Sequence, residues 1–332
     1  MNILLLNTHL KYITMIAIVV QTCCTGLSAQ VPELTFMPHW LPQAQFAGYY
    51  VAEAKGYYKH EGLSVRIVHP TASSTQSPTL KLATGEVDMI SLFLVSALSE
   101  RARGVELVNI AQVSQHSGLL FVTKKNSQIN SLEQLEGKKI GIWKSGFDEI
   151  PKALINSRNI KVNWTPILSS VNMFTLGGID AMTVMWYNEY DQIINAGYNP
   201  DELTTFFFSD YDYDIPEDGL YCLNETIQKR PVDLRKFVNA SMKGWEYARE
   251  HPEEAIDIVL GVMKKAHVAT NYAHQKWMLT KVLQLMETEE PQQKGVLNKA
   301  LFEKAQQALL IENRIQNPVR YSDFYKPVRV HK

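Results

Sequence analysis

His39-Trp40-Leu41-Pro42-Gln43-Ala44-Gln45-Phe46-Ala47-Gly48-Tyr49-Tyr50, running on through Val51-Ala52-Glu53-Ala54-Lys55-Gly56 to Glu61-Gly62-Leu63, is the stretch that decides the fold. Ahead of it, Leu34 to Phe36 reads as a short apolar strand. Pro42 suits a first helical position, where its fixed φ and missing N–H cost nothing. Phe46, Tyr49, Tyr50 and Glu53 fall at i, i+3, i+4 and i+7, which puts three aromatics on one buried helix face. Gly56 then ends the helix as a C-cap. Trp40 sits at a strand-to-helix turn, from which a side chain can point into a crevice. An ordinary core tryptophan is the other reading of the same spacing.

The alternation continues outward. Leu63 to Val68, Val87 to Leu92 and Leu107 to Gln112 read as strands. Helices over 79–84, opened by Ser77-Pro78, and 95–102 lie between them and stop at Gly85 and Gly104. Farther on come a short helix at 132–135, a strand at 138–143, the turn Lys144-Ser145-Gly146, a helix at 147–156 and the strand Ala181 to Met185. Strand-helix alternation of this kind argues for parallel sheets with helices on both faces. Gly85-Glu86-Val87-Asp88-Met89 has an echo in Gly178-Ile179-Asp180-Ala181-Met182, which hints at two related halves. After Pro231 the chain turns helical, over 232–251, 252–265, 271–286 and 298–309, with amphipathic faces and no identifiable chemistry.

Composition narrows the function classes. The 332 residues are 45% hydrophobic and 20% charged, enough for two domains with real cores. The formal net charge is −1 with no basic block, so nucleic acid is not expected as a partner. Lys11, the apolar run Tyr12 to Val20 and small residues up to Ala29 have the layout of a secretory signal, too short to span a membrane. Residues 1–29 are therefore read as a signal peptide, and the mature chain is expected in the periplasm or outside the cell. Cys23 and Cys24 offer a second outcome, lipid attachment. With both gone, Cys222 remains alone and no intrachain disulfide forms.

The opening stretch resembles the start of solute-binding proteins for thiamine-precursor pyrimidines, and also of the fungal pyrimidine-phosphate synthases of that superfamily. The layout is similar to a two-lobed α/β periplasmic binding protein of type II, each lobe a mostly parallel sheet flanked by helices. The resemblance implies lobe one at 31–114 and 220–332 and lobe two at 115–219. The crossings then fall near Ser114-Gln115-His116-Ser117-Gly118 and Asp218-Gly219-Leu220, where glycine suits a hinge. It also implies a heterocyclic ligand, an ABC permease as partner and a monomer.

Candidate binding residues cluster at strand ends. Trp186-Tyr187-Asn188-Glu189-Tyr190 combines flat faces, an amide and a carboxylate, a set suited to a planar nitrogen-rich ring. A solvated first helical turn is the alternative for Glu189 and Tyr190. Ser145 and Gly146 open a helix after a strand and could hold a polar group on free N–H groups, although Asp148 close behind disfavours phosphate. Trp40, His116 and Asp218 complete the set, with a structural role in the loop as the other reading of His116. Asp210, Asp212 and Asp214 alternate as calcium ligands do, but no glycine turn or terminal glutamate completes a loop, so no metal is expected.

Enzyme signatures fail. There is no nucleophile elbow, HExxH, phosphate-binding GxxxxGK or cysteine pair for a metal or iron–sulfur site. In the synthases that the chain resembles, the stretch after the Val-Asp-Met strand carries a cofactor lysine and a histidine consumed as substrate. Here it reads Ser91-Leu92-Phe93-Leu94-Val95-Ser96-Ala97. The leading expectation is therefore a binding protein without catalytic residues or cofactor, with a sensor subunit for a kinase, a degenerate synthase and an adhesion or structural exoprotein as the other readings.

Overall fold

The computed structural model describes residues 33–71, 77–143 and 147–328. The signal reading, Cys23, Cys24, Ser145 and Gly146 lie outside the described residues.

Among these residues the strands form two sheets. The first contains β1 (Glu33–Met37), β2 (Ser64–Ile67), β3 (Met89–Phe93), β4 (Leu107–Gln112) and β10 (Asp218–Leu223), in the order β2-β1-β3-β10-β4. The second contains β5 (Leu119–Lys124), β6 (Lys139–Trp143), β7 (Asn163–Ile167), β8 (Ala181–Met185) and β9 (Leu203–Phe207), in the order β7-β6-β8-β5-β9. Each sheet holds one strand antiparallel to both its neighbours, β10 between β3 and β4 and β5 between β8 and β9. These are the strands on which the chain enters the second sheet and returns to the first. The sheets are thus mixed, and share one topology.

The internal echo has a physical cause, with its register one residue from the expected one. Gly85 and Gly177, both with positive φ, end the helices before β3 and β8. Three residues after each glycine comes an aspartate. Asp88 donates its N–H to Thr35 O and accepts from Thr35 N on β1; Asp180 does the same with Lys139 on β6. Each aspartate clamps the start of a central strand to its parallel neighbour, so Gly177 rather than Gly178 is the counterpart of Gly85.

The opening helix starts later than Pro42. Gln43 is still extended, and a short 3-10 turn Ala44–Phe46 leads into the helix Ala47–Ala54. Phe46, Tyr49 and Tyr50 are buried on one face, as the spacing requires. This helix packs on the long helix Pro231–Glu250 with glycine facing glycine: a Cβ on Gly244 would lie 2.0 Å from Gly48 O, and one on Gly48 would lie 2.3 Å from the Trp245 ring.

Two segments join the sheets, 113–118 and 212–217, and they are laced together. Glu217 accepts from Ser117 Oγ at 3.0 Å and Gly118 N at 2.7 Å, both on Oε1, and its own N–H donates to Ser114 Oγ. Asp214 accepts from Ser117 N at 2.7 Å and lies 2.7 Å from His116 Nδ1. Asp218 and Gly219 are already part of the first sheet, opposite Phe93 and Leu92. Gly118 and Gly219 serve close packing: Cβ atoms there would lie 2.8 Å from Leu285 Cδ1 and 2.7 Å from Tyr221 Oη.

Candidate functional site

A cavity of about 440 Å³ opens between the sheets at the C-terminal ends of their parallel strands. β1 delivers His39 and Trp40, β3 Phe93, β6 Trp143, β7 Ile167 with Leu168 and Ser169, and β8 Met185 with Tyr187, Asn188 and Glu189. Gln43 and Gln45 from the first helical turn and Phe147 complete the wall. Carbonyl ends of parallel strands leave such a crevice because the helices that follow splay apart there. The volume lies within the range of small-molecule sites.

Of the residues expected from sequence, Trp40, Tyr187, Asn188 and Glu189 line this chamber. Trp40 is 44% exposed at its rim and is not a core tryptophan. Asp218 lies just beneath: its Oδ2 accepts from Gln45 Nε2 at 2.8 Å, and Gln45 also reaches the Tyr187 hydroxyl at 3.2 Å. Trp186 does not line the chamber. Its ring meets Phe207 edge-on and carries Lys281 Nζ 4.1 Å above it, because neighbours on a turn point to different sides. His116 is exposed at the crossing and paired with Asp214, outside the wall. Trp143 and Phe147 flank the undescribed Ser145 and Gly146.

Glu189 is buried rather than a solvated helix end, and opens the helix Glu189–Asn195. Oε2 accepts from Met185 N at 3.0 Å and Oε1 from Asn188 Nδ2 at 2.8 Å. Burial pushes its carboxyl up to about 7 against those hydrogen bonds. Burial likewise raises Asp218 to about 7 and, with the Asp218 charge beside it, Glu217 to about 8. His39 goes the other way, lowered to about 3, so its ring is neutral at ordinary pH. No lysine or arginine lines the chamber among the described residues. The arrangement suits a ring with hydrogen-bond donors and acceptors at its edges.

Sequence reading missed His39, Gln43, Gln45, Phe93, Trp143, Phe147 and the 167–169 segment. The strand-end rule applied to every parallel strand would have found most of them. It also missed the C-terminal helix Tyr272–Leu285, read as without chemistry. Gln275 Oε1 accepts from Ala44 N at 2.7 Å, His274 lies 2.6 Å from Asp191 Oδ2 and 3.2 Å from Asn188 Oδ1, and Trp277 Nε1 donates to Trp186 O. One helix thus fixes the chamber wall on both sheets. Amphipathic spacing alone gives no hint of that.

Residues 43–255 match the family model described as NMT1/THI5 like. The chain belongs to the NMT1/THI5-like family. Its relatives include both binders and enzymes. A formylaminopyrimidine-binding protein of Halalkalibacterium halodurans is 25% identical over 76% of this chain and 77% of its own. The riboflavin-binding protein RibY of Chloroflexus aurantiacus is 24% identical over 80% and 76%. A 4-amino-5-hydroxymethyl-2-methylpyrimidine phosphate synthase of Saccharomyces cerevisiae is 30% identical over 67% and 69%. Among solved structures, the periplasmic aliphatic sulphonate binding protein SsuA of Escherichia coli superimposes with a TM-score of 0.65 at 16% identity, covering 90% of this chain and 94% of that one. Two-lobed α/β architecture of the periplasmic binding protein type is therefore the fold of this family member.

Proposed function

We propose that the chamber takes up a small planar nitrogen heterocycle, a thiamine-precursor pyrimidine first among the candidates, and that the protein is an exported, monomeric solute-binding component serving a membrane permease of the ABC type. The observation that carries this reading is the chamber itself. Flat aromatic faces come from both sheets, Trp40 and Phe93 from one and Trp143 and Tyr187 from the other, with the Glu189 carboxyl at the edge. Aromatic faces stack on a planar ring, and a buried carboxyl accepts from an exocyclic amino group. The formylaminopyrimidine-binding relative supports that choice of ligand. In this proposal lobe one comprises 33–114 and, because Asp218 and Gly219 already pair in the first sheet, 218–328 rather than 220 onward, with lobe two at 115–217, hinged at the laced crossings.

The synthase relative favours a second reading, an enzyme of pyrimidine formation. Ser91 to Ala97, spanning the end of β3 and the start of the helix Leu94–Ala102, supplies neither lysine nor histidine for that chemistry. Calorimetric titration with formylaminopyrimidine, the aminopyrimidine alcohol, riboflavin and an aliphatic sulfonate tests the proposal. Saturable binding of a pyrimidine is the expected result. Binding of the sulfonate alone, or release of a pyrimidine phosphate from protein incubated with pyridoxal phosphate and iron, would overturn it.

A further inference from the structure

His39 and Ser91 meet at the floor of the chamber. The main-chain N–H of His39 donates to Ser91 Oγ at 3.0 Å, and His39 Nδ1 lies 2.9 Å from the same oxygen. A serine hydroxyl has one hydrogen to give and two lone pairs. One lone pair is taken by the main-chain N–H, and the only acceptor in reach of the hydrogen among the described residues is Nδ1. The opposite arrangement, with Nδ1–H donating, strands the hydroxyl hydrogen in a buried strand, which is the costly way to leave a donor. Asp218 Oδ1 is 3.7 Å from Nδ1, beyond hydrogen-bond length.

With Nδ1 accepting, the ring hydrogen sits on Nε2. Nε2 has no hydrogen-bond partner among the described residues, and the residue lines the chamber. The ring cannot turn away easily, since Phe46 and Phe93 meet it at centroid distances of 5.3 and 4.9 Å. Burial keeps it neutral, which makes it a donor without charge.

We infer that His39 is a specificity-determining residue of the chamber, whose Nε2–H, held in that tautomer by Ser91, selects heterocycles bearing an acceptor atom on the edge that meets the first sheet. This rests on the heterocycle reading above. The ligand class is then a planar ring with an acceptor, a ring nitrogen or carbonyl oxygen, on one edge and a donor toward Glu189 on another. Ser91 is a positioning residue that acts through His39.

The test has two arms. In the first, ¹⁵N-imidazole NMR of the ligand-free full-length protein reads the tautomer, with the His39 signals picked out from those of the nine histidines by their loss in His39→Gln. The expected result is Nε2–H at neutral pH, changing to a tautomer mixture in Ser91→Ala. An Nδ1–H tautomer in the parent would overturn the inference even if ligands bind. In the second, calorimetry compares 4-amino-5-hydroxymethyl-2-methylpyrimidine with its benzene analogue, in which both ring nitrogens are CH. The parent should prefer the pyrimidine by about ten-fold or more, His39→Leu should lose that preference, and His39→Gln, which keeps an N–H, should recover part of it. Equal binding of the two probes by the parent makes His39 structural and ends the proposal. Failure of both probes to bind overturns the pyrimidine reading, and with it the ligand half of this inference.

Discussion

Trp40 lines the chamber and stays out of the core. Nearly half exposed at the chamber rim, it contributes little to folding. Trp40→Ala should therefore leave the melting temperature of the free protein within a degree or two while lowering affinity for a planar ligand by about ten-fold or more. Aromatic pairing alone is worth roughly 0.5 to 1.5 kcal/mol beyond area burial. Calorimetry beside thermal melts checks both halves, and unfolding of the variant would return Trp40 to the core. Glu217 is the opposite case, buried at the crossing with its carboxyl raised from 4.5 to about 8. A carboxyl raised on folding binds more protons in the native state than in the unfolded one, so stability is greatest below about 4.5 and falls as pH rises through about 8. Glu217→Gln keeps an oxygen for Ser117 Oγ and Gly118 N, which land on the same atom. Denaturant titrations should show the parent losing up to a few kcal/mol between pH 5 and 8, and the variant losing less. Parallel pH profiles would refute that assignment.

Elements here are set by local signals and placed by contacts the signals do not encode. Ser77 caps the helix Pro78–Ala83 through Leu80 N, with Pro78 at its first position, and Gly56 follows the helix Ala47–Ala54 with φ +73°. Both were legible because cap chemistry is local. The glycine pair Gly48 and Gly244 was not, since close approach of two helices involves residues far apart in sequence. Gly244→Ala should cost about 1 to 3 kcal/mol or more, because its Cβ would meet main-chain oxygen, which cannot swing aside. Gly261 in the helix Pro252–Lys265 has nothing near its Cβ position, so Gly261→Ala should gain roughly 0.5 to 1 kcal/mol. Melting curves of the two variants separate close packing from helix propensity. In the helix Tyr272–Leu285, Gln275→Leu orphans the buried Ala44 N–H and should lower stability by about 1 to 3 kcal/mol, with the chamber floor loosened alongside.

At the scale of the whole molecule, the residues lining the chamber come from both sheets, and the chain crosses between them twice. A ligand held by both halves gains contacts in the closed form that an open form lacks, and only such differential affinity shifts the balance. Gln45 touches the Tyr187 hydroxyl across the chamber, and the helix Tyr272–Leu285 holds both walls, contacts that an open form would have to give up. Small-angle scattering should give a smaller radius of gyration with a saturating pyrimidine than without. An unchanged radius would argue for a preformed chamber between fixed halves.

The sequence by itself determined the class of fold and the leading aromatic turn. Period, caps and strand-to-helix alternation are local properties, and the repeated glycine-to-aspartate turn before β3 and β8 is visible in the letters. It also placed Tyr187, Asn188 and Glu189 at the end of one strand, where open sheets bind ligands. Only the tertiary structure decided that Trp186 turns away, that Asp218 lies under the chamber, and that a C-terminal helix secures both walls. It alone brought His39 onto Ser91, 52 residues on. Such pairings depend on which strands become neighbours, and β10 reaches its place between β3 and β4 only after the chain has built the second sheet.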